Sequence, residues 1–217
     1  MKVLELFAGS RSVGKAAESL GYEVFSSDIN SFDGIDYVVD IMEFDVSKVP
    51  FKPDIIWASP PCTYFSVASI GRHWNKDHTP KSENALVGVA IVQKTLEIIR
   101  ALNPEKFYIE NPRGKLRKLP VVSGLPRATV WYCKYGDTRA KPTDIWSNNI
   151  RSLLNPNGWM PRKQCFNGNP HCHHDRQPRG YHAKKALGVL DKGTQGLKGN
   201  YNRSKIPEQL CLEILKS

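Results

Sequence analysis

Two residues of this chain could face one pocket and work together on an unsaturated ring. Cys62 directly follows a double proline in "DIIWASPPCTYFSVAS", and Glu110 closes the apolar run of "PEKFYIENPRGKL". A thiolate can attack an electron-poor ring carbon, and a carboxylic acid can protonate or hydrogen-bond a ring nitrogen. A free cysteine has a pKa near ~8.5, so Cys62 needs a cationic or helix-terminus environment to react. The plainer reading of Cys62 is a small buried residue beside a turn. The prolines favour the nucleophile: they fix φ twice and remove two backbone donors, so the loop is stiff where the thiol sits.

The elements that must hold these groups are legible. "KVLELF" reads as a buried strand, "AGS" as a turn, and "SVGKAAESLG" as a helix ended by Gly21. "YEVFSSD", "YVVDI", "DIIWAS" and "KFYIE" read as further strands, and "ENALVGVAIVQKTLEIIRAL" as a long helix stopped by Asn-Pro. "RATVWYCKY" and "PTDIW" are later strands, and "KIPEQLCLEILKS" a closing helix with Pro207 suited to its first turn. Alternating strands and helices imply parallel pairing in a doubly wound α/β sheet. The link from "YVVDI" to "DIIWAS" is too short for a full crossover helix. Ligands of such sheets lie beyond the carboxyl ends of the strands. There the chain offers "FAGS", Asp28, Asp40, "SPPC" and "ENP". A glycine turn before a helix, and an acid ending the second strand, suit a nucleoside-containing cofactor.

In their order along the chain, "LELFAGSRSVGKAAESLG", "DIMEF", "DIIWASPPCTYFS" and "PEKFYIENPRGKL" resemble the motifs of the DNA (cytosine-5)-methyltransferases. The resemblance covers residues 2–146 and, through "GLKGNYNRSKIPEQLCLEIL", roughly 196–215. The wording of "CKYGDTRAKPTDIW" and "GTQGLKGNY" looks most like the small methylases carried by phages. It implies a Rossmann-like methyltransferase fold and S-adenosylmethionine held through Phe7, Gly9, Ser10, Asp28, Ile29, Asp40, Ile41 and Pro60. It also implies a base flipped out of its stack. Cys62 then adds to ring carbon 6, Glu110 acts at ring nitrogen 3, and carbon 5 takes the methyl group. Arg139 is expected to hold the base carbonyl or the nearby backbone, with Lys141 behind it. "TYFS" is expected closest to the flipped base. The chain departs from the family in Arg11 and Ser12 within the glycine-rich turn, and in ENP where the family has ENV. About fifty residues stand where the family carries a large target-recognition domain.

Three parts are expected: a catalytic core (1–146), a small basic target-recognition segment (147–198), and a C-terminal motif and helix returning to the core (199–217). The formal net charge is +10, and residues 147–205 carry +9 of it, with eleven Lys/Arg against Asp175 and Asp191. The first sixty residues are acidic, with ten Asp/Glu against five Lys/Arg. Charge segregated in this way points to a polyanionic partner, DNA before RNA. Lys115, Arg117 and Lys118 are phosphate contacts or simply a solvated basic face.

The basic segment has little apolar periodicity but contains "CFNGNPHCHH". Ligands at that density suggest a structural zinc held by Cys133, Cys165, Cys172 and His173, which would supply folding energy the segment lacks. The other reading is surface histidines near phosphate. Cys211 falls in an amphipathic helix and reads as core. Five scattered cysteines argue against a secreted disulfide framework. With no signal-peptide pattern and no membrane-spanning run, the expectation is a cytoplasmic monomer, in the host cytoplasm if phage-encoded. Other readings are the same chemistry on RNA, a nucleotide or a modified base, an amino-methyltransferase, and a non-catalytic nucleic-acid-binding relic. Cys62 argues against the amino-methyltransferase, because such enzymes place an aromatic there to stack the base. The intact set Cys62, Glu110 and Arg139 argues against the last.

Overall fold

The computed structural model describes residues 1–174 and 200–217. Seven strands form one sheet in the order β3-β2-β1-β4-β5-β7-β6. The strands are β1 (Lys2–Leu6), β2 (Glu23–Asp28), β3 (Tyr37–Val38), β4 (Ile55–Ala58), β5 (Lys106–Pro112), β6 (Arg127–Trp131) and β7 (Pro142–Ser147). The helices are α1 (Ser12–Ser19), α2 (Ile70–His73), α3 (Glu83–Leu102), α4 (Asn200–Ser204) and α5 (Glu208–Leu215). The doubly wound α/β expectation holds. No helix among the described residues is long and apolar enough to cross a membrane.

Neighbouring residues of the central strands feed opposite faces, as strand geometry requires. Leu4, Leu6, Ile56, Ala58 and Ile109 pack on the α3 side. Val3, Ile55, Trp57 and Tyr108 pack on the side of α1 and α5. β4 is therefore a wholly apolar run, the pattern of a strand covered on both sides, while β1 and β5 carry the buried Glu5 and Glu110. Helix α3 presents Ala85, Gly88, Val92, Leu96 and Ile99 inward at helical spacing. The Ser82 side chain accepts from the Ala85 N–H to start it, and Asn103 in the left-handed region ends it.

The purely parallel expectation fails at one edge. β7 lies between β5 and β6 and runs antiparallel to both. No α-helix separates β5 from β6 or β6 from β7, so nothing there forces a parallel crossover. Pairing with β7 also carries β5 through Glu110 to Pro112, so Glu110 is inside a strand and not beyond its end. "RATVWYCKY" is a strand only to Trp131. Tyr132–Tyr135 form a 3-10 turn, and Cys133 sits on that turn and not on a strand. The β3–β4 link holds only two 3-10 turns, Ile41–Glu43 and Val46–Lys48.

Candidate active site

β1, β4 and β5 lie side by side and parallel, with Ala58 opposite Ile109. The loop carrying Cys62 and the strand carrying Glu110 therefore leave the sheet as neighbours. Asn111, wholly buried, donates from Nδ2 to the Pro60 carbonyl at 2.9 Å and stitches the two together. The Cys62 carbonyl accepts from the N–H groups of Phe65 (3.0 Å) and Ser66 (2.9 Å), closing a tight turn around the half-buried thiol.

That turn is pinned from below. Phe65 is fully buried and stacks on Trp74 with centroids 6.1 Å apart, so it anchors the loop and does not face a flipped base as "TYFS" was expected to. Trp74 Nε1 donates to the Tyr64 carbonyl at 2.7 Å. The Lys115 N–H donates to the Phe65 carbonyl at 2.7 Å, and a Cβ on Gly114 would lie 2.2 Å from that oxygen. Only glycine allows this approach.

Glu110 is 5 % exposed. The Tyr132 hydroxyl donates to its Oε1 at 3.0 Å, and Lys141 Nζ lies 3.9 Å from the same oxygen and 4.6 Å over the Tyr132 ring. Burial, with the Glu110 charge adding to it, holds the Tyr132 phenol well above its ordinary pKa, so it remains a donor. The Arg139 guanidinium is paired with the Asp137 carboxylate and donates to the Lys205 carbonyl, while Lys141 stands at Glu110. Tyr132 and Asn111 were not singled out from sequence. Asn111 carried a signal, as a buried amide next to the acid of "ENP".

The carboxyl edge nearer the amino terminus holds the other expected residues. The turn after β1 alternates left-handed residues, with Phe7, Gly9 and Arg11 at φ 57°, 47° and 52°. Asp28 Oδ2 accepts the Gly9 N–H at 3.0 Å, and its Oδ1 accepts the Asn30 N–H at 2.9 Å. Asn30 Nδ2 also donates to Oδ1, at 3.2 Å, so Oδ2 is the oxygen with a second lone-pair direction for a hydroxyl donor. Ile29 is 63 % exposed, an apolar surface beside that acid. Ser10 is nearly buried and its hydroxyl meets that of Ser12 at 2.8 Å. Asp40 is exposed and accepts the Met42 N–H at 2.9 Å. Ile41 packs into the core, which leaves its side chain almost no surface to offer a ligand, and the Pro60 carbonyl is taken by Asn111. Beneath the turn, Glu5 is buried and accepts the Val13 (3.1 Å) and Gly14 (2.9 Å) N–H groups that open α1. Burial outweighs those two bonds and raises its pKa to about 7.

Beside the catalytic loop lies a cleft of about 360 Å³ lined by Val67, Asn75, Lys76, His78, Arg113 and Lys118, among others. Two of the three expected phosphate contacts are otherwise engaged. Lys115 is buried, with Nζ at the Asn75 carbonyl and 2.8 Å from His78 Nδ1, and Arg117 forks onto Asp144. Lys118 is exposed. Of the basic segment, Arg151, Arg162 and Lys163 are exposed. Arg176, Arg179, Lys184, Lys185, Lys192, Lys198 and the "GLKG" of the C-terminal motif lie outside the described residues.

Cys133, Cys165 and Cys172 come together with His174, not with the expected His173. Burial alternates along the chain here: Cys172 and His174 face in, while His173 faces out and meets the Asp137 carbonyl at 3.2 Å.

A family model for the C-5 cytosine-specific DNA methylases matches residues 1–118. A "Probable DNA (cytosine-5)-methyltransferase" of frog virus 3 (isolate Goorha) is 32 % identical over 225 residues, covering 99 % of both chains. Among solved structures, the Entamoeba histolytica methyltransferase EhMeth superposes with a TM-score of 0.52 at 13 % identity, over 76 % of this chain and 57 % of that one. Spodoptera frugiperda DNMT2 gives 0.44 at 16 % identity, over 75 % and 55 %. The chain thus spans little more than half the length of these solved structures.

Proposed function

The chain belongs to the C-5 cytosine-specific DNA methylases, and from that premise we propose that it methylates carbon 5 of cytosine in DNA through a covalent Cys62 adduct. The observation that carries this reading is the buried Glu110, with its Tyr132 and Lys141 partners, on the strand next to the Cys62 loop.

The target base is turned out of the duplex so that its ring enters the site. Cys62 sulfur forms a bond to carbon 6, and the pair of the carbon 5–carbon 6 double bond becomes available at carbon 5. Glu110 makes this addition feasible by holding a proton at ring nitrogen 3. Tyr132 and Lys141 both address Oε1 of Glu110, so Oε2 is the oxygen that meets the ring. S-adenosylmethionine would be held at the edge formed by Phe7, Gly9, Asp28 and Ile29 and would supply an electrophilic methyl group for carbon 5, its sulfur–methyl bond breaking to leave the neutral thioether. The proton leaves carbon 5 to a base, the carbon 6–sulfur bond breaks, and Cys62 recovers its thiolate. DNA lies along the cleft beside the catalytic loop, with the exposed Lys76, Arg113 and Lys118 as phosphate partners.

The test is incubation of DNA with methyl-labelled donor, digestion to nucleosides and mass spectrometry. Label in 5-methyldeoxycytidine is expected, absent with Cys62→Ser while that variant still binds donor. Label on an exocyclic amine, or turnover by Cys62→Ser, overturns the reading.

A further inference from the structure

Three thiols and an imidazole that methyl transfer does not use meet in one place. One ligand atom each from Cys133, Cys165, Cys172 and His174 lies within 4.8 Å of all the others. All four residues are buried, at 1 %, 5 %, 7 % and 3 % exposure. Tetrahedral zinc, with Zn–S near ~2.3 Å and Zn–N near ~2.0–2.1 Å, needs donor–donor separations of roughly 3.4–3.8 Å. Cys165 Sγ and His174 Nδ1 are 3.8 Å apart.

Apolar packing does not account for the cluster. The same stretch leaves Leu153 and Leu154 fully exposed, and Met160 and Phe166 more than half exposed, while it buries two of these thiols and the imidazole. A disulfide would use two of the three thiols and leave the third buried beside the imidazole. A metal uses all four groups. Asn169 Nδ2 points at Cys165 Sγ from 3.4 Å, the outer donor that a metal-bound thiolate takes. The walls are Trp131 and Ala140, which keep the site dry.

We propose that Cys133, Cys165, Cys172 and His174 bind a structural zinc ion that clamps the segment after β7 onto the 3-10 turn Tyr132–Tyr135. Three soft sulfur donors and one nitrogen suit zinc over the oxygen-seeking magnesium or calcium. With no ligand position left for water, the site is closed, so its role is structural. Cys133 belongs to the core side and the other three to the segment, so the metal closes a loop of more than thirty residues across the boundary. Cys133 directly follows Tyr132, the donor to Glu110. The clamp thereby joins the segment to the catalytic carboxyl's support, a consequence that rests on the methyltransferase reading. The metal site itself does not.

The full chain, purified without chelator and under reductant, should contain about one zinc by elemental mass spectrometry. Cys165→Ser and Cys172→Ser should lose it, whereas His173→Ala and Cys211→Ser should keep it. Should the ligand variants fail to fold, the wild type decides alone. Cobalt exchange should give thiolate-to-cobalt charge-transfer bands and intense tetrahedral d–d bands, and chelation should make three further thiols titratable. Folded wild-type protein without zinc, zinc retained by the Cys165→Ser/Cys172→Ser double variant, or zinc lost from His173→Ala would each overturn the proposal. Zinc present without cytosine methylation would instead refute the enzymatic reading and leave the metal site standing.

Discussion

The sheet and the described stretch that follows β7 are held together by different means. The sheet buries apolar residues on both faces, and Val3, Leu4, Ile55 and Ile56 are fully inaccessible. Residues 148–174 contain no helix or named strand, only the bridge between Ile150 and Trp159. Apart from Trp159 and Ile150, which pack into the core on the α5 side, their contacts with the rest are polar or sulfur-based. Arg162 reaches Glu213, Gln209 and the Lys134 carbonyl, its N–H donates to the Tyr135 hydroxyl, and Cys165, Cys172 and His174 join Cys133. Groups that must be placed to a fraction of an ångström stand on or next to packed strands. The segment can change its surface freely as long as its few ties persist.

The largest effect should come from undoing the pin beneath the catalytic loop. Phe65→Ala should cost ~3–5 kcal/mol in denaturant unfolding and lower the stability of the whole cooperative unit. A loss below 1 kcal/mol would mean that the loop is not part of the core. Next is a pH effect confined to the sheet region. Glu5 has a pKa of about 7 in the fold against 4.5 when unperturbed. Between these values the folded protein binds more protons than the unfolded chain, so stability falls as pH rises through the window and levels off above it. Relative to Glu5→Gln, the wild type should lose on the order of 3 kcal/mol between pH 4.5 and 7. Equal pH profiles would refute the burial account.

Tyr132→Phe tests the meeting point of the two regions. It removes a donor from Glu110 without removing a ring. The methylation rate should fall roughly tenfold while stability changes by about 1 kcal/mol. Rates at wild-type level would dismiss the hydroxyl as a support. The smallest effect should lie on the segment side. Glu213→Ala removes the partner of Arg162 and of Trp159 Nε1. Its half-exposed ion pair predicts less than ~1 kcal/mol by thermal melt. A larger loss would place the segment within the core's cooperative unit and erase the contrast.

What the sequence revealed follows the same division. Strands with apolar runs and the capped α3 were legible because local pattern determines them, and Cys62 beside Glu110 followed from the strand order of a doubly wound sheet. The antiparallel insertion of β7 was not legible, because pairing partners are chosen by tertiary packing. Lys141 beside Glu110 was not legible either, and neither was the pairing of the Arg139 guanidinium with Asp137 two residues upstream. His174 displaced His173 because only alternate side chains of that stretch face inward. The anchoring role of Phe65 within "TYFS" was not legible, since nothing local announces Trp74 beneath it. The Cys-x-His spacing of Cys172 and His174 was available, and alternation along an extended stretch would have found it.

The most direct test of the central claim, a sulfur–carbon bond from Cys62 to the target ring, uses DNA in which every cytosine is replaced by 5-fluorocytosine. Fluorine leaves carbon 5 without a removable proton after methyl transfer, so the carbon 6–sulfur bond should persist. With donor present, intact-protein mass spectrometry should show a covalent DNA complex, and peptide mapping should place it on Cys62. Methylation of ordinary cytosine DNA with no trapped complex on the fluorinated DNA, or trapping that survives Cys62→Ser, would contradict the account.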